Sequence, residues 1–180
     1  MRQHRSLLKN LATALILALL SGVSAWSAQD PTGSVVSLST PAVQAFNGRA
    51  DQALLAMKAR AEELKIKGVA LVAYFEGEHI QSWTSKMIVV NSHKDSPTVT
   101  NQGANLLGIA YAKAAEMADT LKDSGNAGRK PMTGEFGWQG GLIIRGKSGY
   151  LIAAFSGGPS ESDLKVSRAG LEALERAGKF

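Results

Sequence analysis

Two histidines beyond residue 25, His79 and His93, are the residues best suited to ligand chemistry, because the sequence contains no cysteine. An imidazole offers a lone pair to a metal ion, but these two lie fourteen positions apart without further ligands at zinc-site spacing. This pattern disfavours a structural zinc site. From the residues alone, His79 is expected to be a strand-edge histidine in ordinary contact with solvent. His93, which lies in a polar stretch, is expected to be a solvated loop residue.

Motifs for enzymatic catalysis are scarce. There is no serine in a nucleophile-elbow pattern and no His-Glu-x-x-His, and Gly157-Gly158 lacks the lysine and the spacing of a phosphate loop. The carboxylates of Glu161 and Asp163 fall in the first turn of a predicted helix, where the helix dipole favours acidic residues with or without chemistry. We therefore assign no catalytic residue, and the sequence favours a binding protein over an enzyme.

The N-terminal segment is predicted to be a secretory signal peptide over residues 1–25, because a basic stretch precedes an apolar run and then small residues. These are Arg2, Arg5 and Lys9, then Leu11 to Leu20, then Val23-Ser24-Ala25. A retained membrane anchor is the alternative, but the apolar run is shorter than the roughly 20 residues that span a bilayer. We expect a periplasmic or secreted protein that has no membrane association after cleavage.

Charge argues against a nucleic-acid partner. Residues 1–25 hold three positive charges and no negative one, so their removal lowers the formal net charge from +5 to +2. No run of Lys and Arg interleaved with aromatic residues remains. Residues 26–39 are small and polar and are expected to form a flexible leader, and residues 40–180 are long enough for a single domain.

Periodicity in that domain predicts three helices and two hairpins. The predicted order is a helix from Thr40-Pro41 to near Gly68, a hairpin over 69–83, a helix from near Asn101 that ends by Gly125, a hairpin over 142–155, and a helix from Ser160 to about Ala177. Met87 to Val90 is expected to extend the first hairpin or to form a short third strand. This order predicts an α+β fold, in which an antiparallel sheet is flanked by helices.

The prediction of these helices rests mainly on the spacing of their apolar residues. In the first helix, apolar residues recur at helical spacing from Phe46 to Leu64. In the second, the apolar stripe from Leu107 to Leu121 leaves Lys113 and Glu116 on other faces. At the end of the chain, Gly146 and Gly149 are expected to supply the positive φ of a tight hairpin loop, and Ser160 is expected to cap the last helix, with Asp163 three residues later.

Three stretches of the sequence resemble one known family: AMKARAEELKIKGVALVAYFEGEHIQSW, AYAKAAEMAD and GGLIIRGKSGYLIAAFSGGPSESDLKVSRAGLEAL. They are similar to the GlcG/HbpS-type domain, which is also the C-terminal domain of PduO-type proteins. The resemblance covers roughly residues 40–177 and is most specific at Ser156-Gly157-Gly158, Glu161 with Asp163, and Ala169-Gly170-Leu171. It implies a profilin-like fold with an antiparallel sheet, a homo-oligomer, and binding of haem or a related tetrapyrrole.

The resemblance also implies roles for three side chains. His79 matches the turn histidine of the family and is the implied axial ligand of a haem iron; Phe75 stands where the family usually has an aspartate. Lys113 stands in the position of the family's Lys-Ala helix and is implied to meet a ligand carboxylate such as a haem propionate, whereas its alternative is an exposed lysine that pairs with Glu116. Trp83 is implied to stack on a flat macrocycle, although aromatic residues that border strands more often belong to a core or an interface.

The function that the resemblance implies is exported haem or tetrapyrrole binding, in haem uptake, storage or sensing. An oligomeric structural or sensor module without a cofactor is the alternative, and haem degradation is a third hypothesis.

Overall fold

The computed structural model describes residues 39–176, which belong to one compact unit. The predicted signal peptide, the predicted leader as far as residue 38, and residues 177–180 lie outside the described residues. Among residues 39–176, no helix combines the length and the apolar character that crossing a bilayer requires.

The described residues form three helices and six strands in an α+β arrangement. In chain order these are α1 (Pro41–Glu63), β1 (Gly68–Glu76), β2 (Thr84–Val90), β3 (Lys94–Asp95), β4 (Ala104–Asn105), α2 (Leu106–Thr120), β5 (Gly141–Arg145), β6 (Gly149–Ser156) and α3 (Ser160–Arg176). Four strands make an antiparallel sheet in the order β2-β1-β6-β5, and β3 pairs with β4. The predicted α+β class, with an antiparallel sheet flanked by helices, is confirmed.

Hydrophobic residues are buried on both faces of the sheet. In β1, alternate side chains of Ala70, Val72 and Tyr74 face the core that contains α1 and α3, whereas those of Val69, Leu71, Ala73 and Phe75 face the core that contains α2. Successive side chains of β1 therefore point to opposite faces of the sheet, and each face packs into its own hydrophobic core. The result is three layers: α1 with α3, the sheet, and α2.

The helix boundaries follow from their caps. Thr40 caps α1 by accepting a hydrogen bond from the Val43 N–H, with Pro41 at the first helical position, as predicted. The predicted start of the second helix near Asn101 is wrong. The Asn101 side chain instead accepts a hydrogen bond from Gly103 N–H, and Asn105 caps α2 by accepting one from Gly108 N–H.

The first hairpin differs from the prediction. We expected His79 to Trp83 to be a strand, but residues 77–83 form the connection, and the second strand is β2, which takes in Met87 to Val90. The strand β1 ends because Gly77 adopts a left-handed φ of 84°, and the following residues are exposed. Tyr74 and Thr84 are the last paired residues before this connection.

The second hairpin forms as predicted, between β5 and β6, but the role of Gly149 differs. The predicted positive φ is wrong for both Gly146 and Gly149. A Cβ on Gly149 would instead clash with the Phe75 carbonyl on the neighbouring strand. The glycine therefore permits a close approach of two backbones. The helix α3 begins at Ser160, so Pro159 and not Ser160 precedes it, and the Pro159 carbonyl accepts from the Ser162 and Asp163 N–H groups.

Close backbone approach recurs where β1 begins. A Cβ on Gly68 would clash with the Ser156 carbonyl, and this glycine has a φ of 154°. We predict that Gly68→Ala lowers the free energy of unfolding by about 1–3 kcal/mol, because the strand must shift to relieve the overlap. Urea unfolding of the purified protein measures the change.

Gly48→Ala is the matched control, because Gly48 lies within α1 and a Cβ there would meet nothing within 4 Å. Alanine has the higher helix propensity, so this variant should gain about 0.5–1 kcal/mol. Equal stability of Gly68→Ala and the wild type would contradict the packing described for β1.

Candidate functional site

A buried ion pair joins α2 to α3. The Lys113 ammonium donates hydrogen bonds to Asp163 Oδ2 at 2.8 Å and to the Phe155 carbonyl oxygen at 2.8 Å. The Lys113 and Asp163 residues are only 2% and 3% exposed. Such a pair is costly to desolvate, and it persists only where both groups have close partners.

The pair passes around the end of the sheet, because its two helices lie on opposite faces. Gly140, immediately before β5, makes room for it. A Cβ on Gly140 would clash with Lys113 Nζ and would lie 2.8 Å from Asp163 Cβ. The absence of a side chain at position 140 therefore allows the lysine of one layer to reach the aspartate of the other.

The loop between β6 and α3 holds the other oxygen of Asp163. Asp163 Oδ1 accepts a hydrogen bond from Gly158 N–H at 2.9 Å, and the Gly157 N–H also bonds to this carboxylate. Burial raises the pKa of Asp163 above its ordinary value of 3.8, because desolvation disfavours the charged form, and the Lys113 ammonium only partly opposes this effect. The carboxylate thus lies in a poorly solvated position.

A cleft of about 210 Å³ opens beside the pair, with Lys113 and Asp163 among its lining residues. One side of the cleft is apolar, and Trp138, which is 52% exposed, stands at its rim. The remaining lining residues are Asp95, Ala104, Leu106, Ile109, Gln139, Ser156, Gly157, Gly158 and Ser160. The cleft therefore combines charged and apolar surface in a small space.

The alternative given for Lys113, an exposed lysine that pairs with Glu116, is wrong, because Lys113 is buried and pairs with Asp163. Contact of Lys113 with a ligand carboxylate stays a prediction. Glu116 is also buried, 1% exposed, and it accepts a hydrogen bond from Gly125 N–H at 2.8 Å. This second carboxylate orders the start of the connection that follows α2.

His79 and Trp83 lie together in the connection between β1 and β2. His79 is exposed, and within residues 39–176 no hydrogen bond to its imidazole is formed. Trp83 is half-buried, and its ring centroid lies 6.3 Å from that of Tyr111 on α2, at an angle of 58°. The exposed Ile80 follows the histidine.

The structure does not bring Lys113 to His79, whereas Trp83 contacts Tyr111, two positions before Lys113 in the sequence. Lys113 bonds to Phe155, which pairs with Ala70 near the start of β1, whereas His79 follows the end of β1 at Glu76. Six residues of strand correspond to about 20 Å. His93 is exposed before β3, and its carbonyl accepts from Leu106 N–H at 3.0 Å. Within the described part of the chain, no group of three or more metal-ligating side chains comes together.

Ion pairs of Arg129 stabilise the connection from α2 to β5. Arg129 donates to Glu135 and to Asp119, and its bond to Glu135, together with a smaller effect of the Met132 N–H, lowers the pKa of Glu135 to about 2. Phe136 and Trp138 follow, with ring centroids 4.9 Å apart, and both are about half exposed. Of the two rings, Trp138 lines the cleft.

Neither the protein-family models nor the curated proteins contain a match to this chain.

Asp163 is the charged residue of the cleft that the sequence did not assign to a site. Its first-turn position was explained by the helix dipole, although Gly157-Gly158 shortly before it were a usable signal. The N–H groups of these two glycines bond to the Asp163 carboxylate.

We predict that Lys113→Met and Asp163→Leu each lower the free energy of unfolding by about 3–5 kcal/mol, because each leaves one buried charge without its partner. The double variant should recover most of this loss. Urea unfolding measures all three. Lys58→Met, which removes an exposed pair with Glu62, is the matched control and should change stability by about 0.3–0.5 kcal/mol. Additive losses in the double variant would contradict the pairing.

A pH dependence follows from the raised pKa of Asp163. Since its folded-state pKa lies above the unfolded value, the stability that this carboxyl contributes is present below the unfolded pKa and is lost as the pH rises through the folded one. Lys113→Met removes the opposing cation, so its stability should fall more steeply than that of the wild type as the pH rises above the ordinary Asp value of 3.8. Parallel stability curves for the two proteins would show that the charges do not interact.

Proposed function

We propose that this protein is an exported haem or tetrapyrrole binding protein of the GlcG/HbpS type, acting in haem uptake, storage or sensing in the periplasm or outside the cell. The proposal includes a homo-oligomer and no dedicated catalytic apparatus. It is supported by the resemblance of residues 40–177 to that family, with which the α+β fold and antiparallel sheet agree.

The observation that carries the proposal is the accessibility of His79. A haem iron needs an axial donor with a free lone pair, and an imidazole is the usual one. His79 is exposed in the connection between β1 and β2, and no hydrogen bond to its ring is formed within residues 39–176. The ring can therefore approach a metal without first breaking a protein contact.

Apolar surface next to His79 supports the same proposal. Ile80 is 38% exposed, and Trp83 presents part of its indole while it leans on Tyr111. A macrocycle ligated by His79 would cover this surface and gain from its removal from water. Lys113 is not part of the proposed haem site, since its ammonium is bonded to Asp163 and Phe155 at the other end of β1.

Titration of the purified protein with haemin tests the proposal. We expect a saturable shift of the Soret band with a defined stoichiometry. His79→Ala should weaken binding by about tenfold or more, equivalent to about 1.4 kcal/mol, because the axial bond is lost. His93→Ala is the matched control: it removes an exposed histidine near the other end of the sheet and should leave the titration unchanged.

The absence of a saturable shift in the wild type would contradict haem binding altogether. Saturable binding that is unchanged in His79→Ala would contradict the assigned ligand. A loss of Soret absorbance on addition of a reductant, beyond that of free haemin, would instead favour the haem-degrading hypothesis.

An oligomeric structural or sensor module without a cofactor is the second candidate. It is favoured by the exposed Met132, Phe136 and Trp138, which lie in the connection before β5. Such side chains commonly mark protein interfaces. A stable oligomer in sedimentation that haemin does not change, and that Trp138→Ala dissociates, would favour this candidate over the first.

A further inference from the structure

We propose that the cleft beside Lys113 and Asp163 is a separate ligand site that takes a small organic carboxylate with an apolar body. The proposal does not depend on haem binding, because the cleft and His79 lie at opposite ends of β1. It stands on the chemistry of the lining side chains and on the size of the cleft.

The floor of the cleft has a hydrogen-bond donor to spare. A lysine ammonium carries three N–H groups, and Lys113 uses one on Asp163 and one on the Phe155 carbonyl. Both oxygens of Asp163 already accept hydrogen bonds, from Lys113 and from Gly158. A third donor is therefore available at the floor, and an acceptor on the ligand is its natural partner.

Ser156 is a second polar group without a protein partner. It is 4% exposed, lines the cleft, and forms no side-chain hydrogen bond within residues 39–176. Since no fully buried side-chain oxygen or nitrogen in residues 39–176 lacks a hydrogen-bond partner, the Ser156 hydroxyl is reached by solvent, and a ligand acceptor in the cleft can take the place of that water. The hydroxyl and the Lys113 ammonium both line this one small space.

The electrostatic balance of the cleft favours an anion. The charge of Asp163 is countered by Lys113, and that of Asp95 by Lys67 at 2.6 Å. The N-terminus of α3, whose Ser160 lines the cleft, then adds the positive end of a helix of 17 residues. A carboxylate satisfies this balance better than an amine.

The apolar wall of the cleft determines which kind of group can be attached to the carboxylate of the ligand. Leu106 and Ile109 of α2 are nearly fully buried, and they line the cleft with Ala104 and the exposed ring of Trp138. The volume of about 210 Å³ lies below the roughly 300–1,000 Å³ of sites for drug-sized ligands. The geometry therefore fits one carboxylate on one short aliphatic or single-ring body.

The ion pair itself supports a functional role for the cleft. A buried pair is often no more stabilising than apolar residues of similar volume. Since stability alone does not explain the pair, its position in the lining of a cleft favours a role in binding a ligand over a purely structural role.

Benzoate is the probe that tests this site, with benzyl alcohol and benzylamine as neutral and cationic counterparts. We expect saturable shifts in ¹H–¹⁵N spectra of the protein at the amides of Ser156, Gly157 and Gly158 and at the Trp138 indole. Binding of benzyl alcohol and benzylamine should be at least about tenfold weaker, because a hydrogen bond to a charged acceptor is lost.

Variants of the lining residues test whether benzoate binds in this cleft. Ser156→Ala should weaken benzoate binding by about threefold to tenfold, and Lys113→Met/Asp163→Leu by about tenfold or more. Ala104→Phe, which fills the cleft without removing a charge, should abolish binding even where the double variant is too unstable to study. Ser162→Ala is the matched control, since this serine of α3 does not line the cleft.

Three results would overturn the proposal. The first is the absence of a saturable response to benzoate. The second is binding of benzylamine that is as tight as that of benzoate, and the third is benzoate binding by Ala104→Phe that equals that of the wild type.

Discussion

The structure of residues 39–176 depends on a crossing contact, in which Lys113 of one helical layer reaches Asp163 of the other around the end of the sheet. Hydrophobic burial holds each layer to its own face, but it is not directional and does not set the position of α2 relative to α3. A charged hydrogen bond of 2.8 Å between buried groups does. The glycine at position 140 makes this contact sterically possible, because a Cβ there would meet both Lys113 and Asp163, and a Cβ on Gly158 would lie 3.2 Å from Asp163 Oδ1.

This arrangement places the two proposed sites at opposite ends of β1. At one end, His79 is exposed in the connection that also holds Ile80 and Trp83. At the other end, the crossing contact, the glycine loop and Trp138 enclose a small cleft. A rigid central strand that is buried on both faces lies between the two ends, so a ligand at either end meets a preformed surface.

Local rules predicted much of the fold. Thr40-Pro41 carries both signals of a helix start, the apolar residues of α1 and β1 follow regular periods, and the second hairpin lies between two apolar runs. The errors arose where the pairing of strands in the folded chain overrode the local secondary-structure preference of the sequence. Residues 79–83 have strand-like composition, but the register of β2 against β1 begins only at Thr84, so these residues became the connection.

The site was less predictable than the fold, for a physical reason. A lysine in an amphipathic helix is normally solvated, and nothing within α2 indicates otherwise. The partner of Lys113 is fifty residues away in the sequence, and only the folded chain brings the two charges together. The resemblance selected Lys113 as a site residue, but it placed the side chain in contact with a ligand and did not predict the buried aspartate. His79 and Trp83 remain predictions as ligand contacts, and the structure places both in the same connection.

The protonation of Asp163 is the most direct measure of this account, because the crossing contact is central only if both charges are buried together. The ¹³C chemical shift of the Asp163 carboxyl, followed with the ¹⁵N shift of the Lys113 ammonium across the acidic pH range, reports on it. The account predicts a midpoint for Asp163 above the ordinary value of 3.8, with the lysine signal moving in step. A Lys113 signal that does not respond while the Asp163 carboxyl titrates would contradict the crossing contact.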